Sequence, residues 1–260
     1  MRKFEIPYNF DKELLKELET RKECIKLIYL PCFYADGDNS RYDLLLNNQI
    51  PRDWNEYLEH LQLAQVIAPA GLLIQRNSTI EVIDKYYNLG IRYFIINNDE
   101  LAQEIKKTYA DAILILSITA YGEGDWNLYD EIVLPFHYCR QVQKIAELPQ
   151  DKKYVLIPNS HCLWNCNRHA AHWGLTADSL EEYQTNVMKI TDGYCGNVYN
   201  EDRAFIKPED LIYFDSYIDT YKLVDRLDLT EEILYNIDRY SKEYSECARE
   251  INWYQKEDEV

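Results

Sequence analysis

Glycine and proline are scarce in this chain, eight of each in 260 residues, which leaves little room for flexible linkers or low-complexity segments. No apolar run approaches the ~18 residues of a membrane span, so no membrane partner is expected. The first residues, Met1 to Pro7, lack the apolar core of a signal peptide, and the expected location is cytoplasmic. Glycine-rich phosphate motifs are missing too: Gly122 and Gly124 bracket one residue without the third glycine and read as a turn. Basic residues number 28 against 45 acidic ones, a net charge of −17 that argues against nonspecific nucleic-acid binding.

What the chain has is regular structure. Apolar residues make up 47% and tyrosines number 23, enough for a large core. The length suits one α/β barrel of roughly 250 residues, and no composition shift divides it, so residues 1–260 read as one domain. Strand-like runs are expected at 25–33, 71–75, 92–97, 112–118, 131–135, 154–157, 211–214 and 220–224. Before, between and after them lie helical patterns at 11–19, 54–65, 139–148 and 230–242, with a capping box at 78–81, a cap at 97–100 and a further cap at 179–182. Eight apolar runs separated mostly by helices predict a (β/α)8 TIM-barrel-like fold, with a doubly wound open sheet as the alternative.

The densest chemistry lies between Asn159 and His172, which holds three of the five histidines and two of the seven cysteines. It follows the run at 154–157, the sixth in this reading, so Cys162 and Cys166 belong to a loop leaving a strand, within a cysteine- and histidine-rich insertion at 159–203. An odd cysteine count without an export signal favours reduced thiols. Cys24, Cys32 and Cys139 read as small buried hydrophobes. The others are candidates for metal. A 4Fe–4S cluster would take four thiolates, from Cys162, Cys166, Cys195 between two glycines, and Cys247, with Cys139 in reserve. Zinc on Cys162, Cys166, Cys195 and His169 or His172 is the alternative. The spacing Cys162, Cys166, His169 also resembles a radical-SAM triad with its last thiolate replaced, but that loop normally follows the first barrel strand, and here about five strands precede it.

His161, Arg168, His169 and His172 are candidates for proton transfer or substrate binding, or for hydrogen-bonded structural roles. Asn97 and Asn159, at strand ends, are candidates for substrate contact, with Ser117 behind them. Lys222 and Arg226 at the end of the last strand would point cations at the barrel mouth to grip a carboxylate or phosphate, or would pair with acidic neighbours.

Four stretches resemble the collagenase-like peptidase family of unassigned mechanism and its relatives, the oxygen-independent hydroxylases of ubiquinone biosynthesis and of tRNA and rRNA modification. They are Asp130 to Pro135, Val155 to Cys166 with His172, and Phe205 to Asp210 followed by Thr220 to Arg226. The first half of the chain agrees in rhythm alone. The resemblance implies a barrel-like fold, a four-cysteine 4Fe–4S cluster near the active site, and in some relatives hydroxylation of an aromatic ring without O2. The chain departs from the pattern in the three-residue gap between Cys162 and Cys166, in Asp225 where many relatives have glycine, and in the remote Cys247. The expected function is therefore redox modification of a small or aromatic substrate, with proteolysis unsupported by any hydrolase motif. A noncatalytic metal-bound subunit pairing with a related protein, or a zinc-stabilised barrel, are the alternatives.

Overall fold

The structure is a computed structural model that describes residues 1–33, 36, 50–74, 77–173, 180–191, 203–224 and 229–256. Its strands are β1 (Phe4–Pro7), β2 (Ile25–Pro31), β3 (Ala70–Leu73), β4 (Tyr93–Ile96), β5 (Ile113–Leu116), β6 (Glu131–Val133), β7 (Lys153–Leu156) and β8 (Thr220–Lys222). All pair in parallel in chain order, and β8 pairs with β1 to close the barrel. Around it lie α1 (Lys12–Glu19), α2 (Trp54–Ile67), α3 (Ile80–Asn88), α4 (Asp99–Thr108), α5 (Val142–Ala146) and α8 (Thr230–Ser241), with α6 (His169–Trp173) and α7 (Leu180–Thr191) between β7 and β8. The (β/α)8 expectation holds, and the open sheet is excluded.

Eight strands form, but not the expected eight. Phe4–Pro7 is an additional first strand, too short and too interrupted by Glu5 to stand out in the sequence. Residues 211–213 lie in a 3-10 helix, Pro208–Tyr213, capped by Phe214, rather than in a strand. Pro208 opens that segment, and its buried Leu211 and Phe214 flank Ile212, which is 56% exposed, a spacing of three that suits a 3-10 turn. The cysteine loop therefore follows the seventh strand, not the sixth. The cap of α3 also shifts by one residue: Thr79 is the N-cap, and no side chain closes the box expected of Ser78. Gly90 ends α3 as expected, with φ of 90° and its amide bonded to Tyr87 O.

Residues in register across the barrel share a face. Phe4, Ile6, Ile28, Leu30, Leu72, Phe94, Leu114, Ile132 and Leu156 form the outward set that the helices cover, all fully buried. The inward set is less ordinary, because Glu5, Tyr29, Glu131 and Lys222 belong to it alongside Leu27, Ile95 and Val155. Lys222 Nζ pairs with Glu5 Oε2 at 2.8 Å and lies 3.7 Å from the Tyr29 ring centre. A register irregularity leaves Lys26 without an opposite residue on β1, and its ammonium pairs with Glu131. Strands β2 and β6 are four apart in an eight-stranded ring, so that ion pair spans the barrel.

Candidate thiol and histidine site at the barrel mouth

Strand β7 delivers Asn159, Ser160, His161 and Cys162 to the carboxyl end of the barrel, where enzymes of this architecture place their chemistry. The excursion that follows is stapled at its root. Ile206 N donates to Pro158 O and Ala204 N to Cys162 O, each at 2.8 Å, and Leu163 bridges Arg203. The buried Arg140 guanidinium donates to Arg203 O from Nε and Nη2, at 3.1 and 2.7 Å, and packs on Trp253. Asn159 ties the root to the neighbouring strand end, accepting from Val224 N at 3.0 Å and donating to Val224 O at 3.1 Å.

Within this frame Cys166 is buried and Cys162 half-buried. Cys162 N donates to Ser160 Oγ at 3.1 Å, and Arg168 N donates to Cys166 Sγ at 3.4 Å. Both thiols, with Cys139, lie within electrostatic reach of the Tyr121 hydroxyl. Burial first, and then these thiols, push the Tyr121 pKa up to about 12. Tyr121 follows β5 and holds φ of 52°, a left-handed conformation costly for a bulky residue and often found at functional sites. Its ring lies 4.3 Å from that of His169, centre to centre, and Phe136 covers His169 at 5.5 Å.

His169 is 2% exposed, and its Nδ1 sits 2.7 Å from Cys166 O. A carbonyl accepts only, so Nδ1 carries the hydrogen and Nε2 the lone pair. Burial lowers the His169 pKa to about 4, which keeps the ring neutral at pH 7. A neutral imidazole oriented through Nδ1–H to a carbonyl is the form in which histidine serves as base or metal ligand. Burial lowers His172 in the same direction.

The remaining sequence candidates occupy other places. His161 is exposed, stacks with Phe205 at 6.2 Å and accepts at its carbonyl from Arg203. Arg168 Nη1 donates to Ile190 O at 2.7 Å in the last turn of α7. Asn97 Nδ2 donates to Thr119 Oγ1 at 2.9 Å, which in turn donates to Ser117 Oγ at 3.0 Å. Lys222 sits inside the barrel on Glu5 rather than open at the rim, so the ion-pair alternative describes it. Cys247 is exposed, beyond α8 and beside the Tyr213 hydroxyl, apart from the three thiols near Tyr121. Cys195 and Arg226 lie outside the described residues.

Cys139 fits its reading as a buried hydrophobe. It is fully enclosed, its Sγ donates to Ile157 O at 3.4 Å, and burial pushes its pKa up to about 12. Cys24 and Cys32 are buried likewise, bonded to Arg21 O and Leu73 O. For a thiolate-bound metal, the donors of the Cys162 and Cys166 loop have suitable chemistry, and an N–H aimed at Cys166 sulfur is a bond a thiolate strengthens. Among the described residues no group of three or more His, Cys, Asp or Glu side chains is arranged to hold a metal ion. A metal site here would need a donor beyond them, for which Cys195 is the sequence's candidate.

Sequence reasoning missed Tyr121, Phe136 and His137, which wall the site, because their nearness to Cys166 is purely tertiary. No known family model matches the chain, and no curated protein is significantly similar to it. In fold it is similar to a solved structure described as the U32 peptidase Mk0906, with a TM-score of 0.52 at 11% identity, covering 86% of this chain and 93% of that one. At that identity the likeness shows a shared barrel architecture.

Proposed function

We propose that this protein is an enzyme of the collagenase-like peptidase and hydroxylase type, with a 4Fe–4S cluster at the carboxyl mouth of its barrel and redox modification of a small or aromatic substrate as its activity. The observation that carries this reading is the convergence of Cys162 and Cys166 on Tyr121 and His169 at the end of β7. Cys162 and Cys166 would hold the cluster together with Cys195 and a fourth donor other than Cys247, which lies beside Tyr213. When bound, such a cluster supplies one-electron chemistry.

The chain's own residues supply the surroundings. Tyr121, half-buried, offers aromatic surface over the enclosed His169 and Phe136, suited to a flat substrate ring. His169, neutral with its lone pair on Nε2, can accept a proton from a bound hydroxyl, and Tyr121, held protonated by burial, can donate a hydrogen bond to an oxygen. The acidic balance of the chain favours a neutral or cationic substrate over a polyanion.

Anaerobic purification followed by iron and sulfide analysis tests the proposal. About four of each per chain are expected, with a brown absorbance that collapses in Cys162→Ala and in Cys166→Ala. One zinc per chain and no colour would replace the cluster with a zinc-stabilised barrel, and iron retained in both variants would move the cluster elsewhere. Co-purification with a related protein that alone turns over substrate would assign this chain the noncatalytic role.

A further inference from the structure

A second opening lies on the same face of the barrel. It is a cleft of about 570 Å³ lined by Asn9, Phe10, Asp11 after β1, Ile50, Pro51, Arg52, Glu56 and His60 around the start of α2, and Leu229 and Thr230 at the start of α8. Its volume falls within the ~300–1,000 Å³ of small-molecule sites. None of its residues belongs to the thiol and histidine site.

The floor of the cleft is built from buried polar and aromatic groups. His60 is 5% exposed, and its Nδ1 lies 2.6 Å from the Tyr8 hydroxyl. That hydroxyl has no other acceptor among the described residues, and burial raises its pKa, so it stays protonated and donates to Nδ1. The imidazole is then the Nε2–H tautomer, and Nε2 is the nitrogen left for the cleft. Beside it Phe10 holds φ of 60°, a left-handed conformation that seats its ring against Tyr8, Tyr57 and His60.

The walls divide by chemistry. Asp11 and Glu56 bring carboxylates from α1's cap and α2's first turn and Arg52 one guanidinium, while Ile50, Pro51, Leu229 and the Phe10 ring supply apolar surface. Each Asp11 oxygen accepts one bond, from Glu13 N and from the Thr230 hydroxyl, and keeps a lone pair. Two carboxylates against one guanidinium leave the cleft acidic, and with an imidazole N–H donor and an apolar wall it matches a protonated amine with a neighbouring carbonyl and an aliphatic side chain. We propose that this cleft binds the α-amino end of a small peptide or amino-acid derivative: ammonium between Asp11 and Glu56, carbonyl on His60 Nε2–H, side chain against Phe10 and Ile50.

The test is calorimetric titration of the 260-residue chain with leucyl-glycinamide and with its N-acetylated form, which keeps the shape and loses the charge. The free amine should bind and the acetylated probe should bind at least tenfold more weakly. Asp11→Asn with Glu56→Gln keeps the helix cap, since asparagine caps as well as aspartate, and should weaken the free amine at least tenfold. His60→Gln should weaken it too, with circular dichroism verifying the fold. Equal binding of both probes, equal binding by the charge-removed variant, or no binding of the amine at millimolar concentration would overturn the proposal. Since none of these variants touches Cys162 or Cys166, iron content reports separately on the cluster.

Discussion

Replacing Lys222 by methionine asks where that charge acts. The ion pair with Glu5 spans 2.8 Å, and its two residues are 4% and 0% exposed. At an effective dielectric of ~20, unit charges that close attract by about 6 kcal/mol, most of which desolvation of both groups offsets. Removing one partner is a different matter, because an unpaired buried charge typically costs ~3–5 kcal/mol. Lys26 Nζ remains 3.8 Å from Glu5 Oε1 and shares the compensation. Lys222→Met is therefore expected near the lower bound, about 3 kcal/mol. Glu5→Gln with Lys222→Met removes both charges and should return to within about 1 kcal/mol of the parent, so that the double-mutant cycle gives a coupling of several kcal/mol. Urea denaturation followed by tryptophan fluorescence measures all four proteins. A single variant as stable as the parent, or a double variant as unstable as the two singles summed, would refute an interior role and return Lys222 to the substrate-gripping one.

Two further outcomes follow from buried groups. The His169 pKa falls from 6.5 to about 4 on folding, so the unfolded chain binds the extra proton between those values. Stability is full above pH 6.5 and is lost as the pH drops towards 4, by about 3 kcal/mol at most. Denaturation midpoints of the parent and His169→Gln across that window should converge at low pH, His172 contributing alike to both. Asp210, fully buried, accepts from Ala248 N at 2.6 Å, Arg249 N at 3.1 Å and the Tyr254 hydroxyl at 2.7 Å. Asp210→Ala should cost about 3 kcal/mol and speed hydrogen exchange at the 248 and 249 amides, leaving exchange in β4 unchanged.

The strands that could be read in advance are those whose burial on both faces leaves an unbroken apolar run, such as Tyr93–Ile96 and Ile113–Leu116. β1 escaped because its inward position carries Glu5, and that charge is intelligible only once Lys222 is beside it, 217 residues away. Residues 211–214 misled for the converse reason, since four apolar side chains in a row carry no period and Pro208 decides the outcome. At the site, Cys162 and Cys166 announce themselves by spacing within one loop. Tyr121 does not, because its backbone strain and its stacking on His169 arise from packing a β5 loop against a β7 loop. The histidines divided similarly: His169 turned inward on Cys166 O, whereas His161, eight residues earlier, turned out to Phe205.

The ionic interior and the mouth meet in a very short element. β8 has three residues, and its ladder alone gives it little hold on its neighbours. Three consecutive residues make up the difference: Lys222 binds Glu5 on β1, Leu223 O accepts the Tyr29 hydroxyl of β2 at 2.6 Å, and Val224 exchanges two bonds with Asn159 above β7. One segment thus fixes the root of the cysteine loop on one side and the strands beneath the second cleft on the other. The charges buried in the barrel serve the mouth by holding this segment in place, and a substrate-binding role for Lys222 would withdraw the charge on which that support depends.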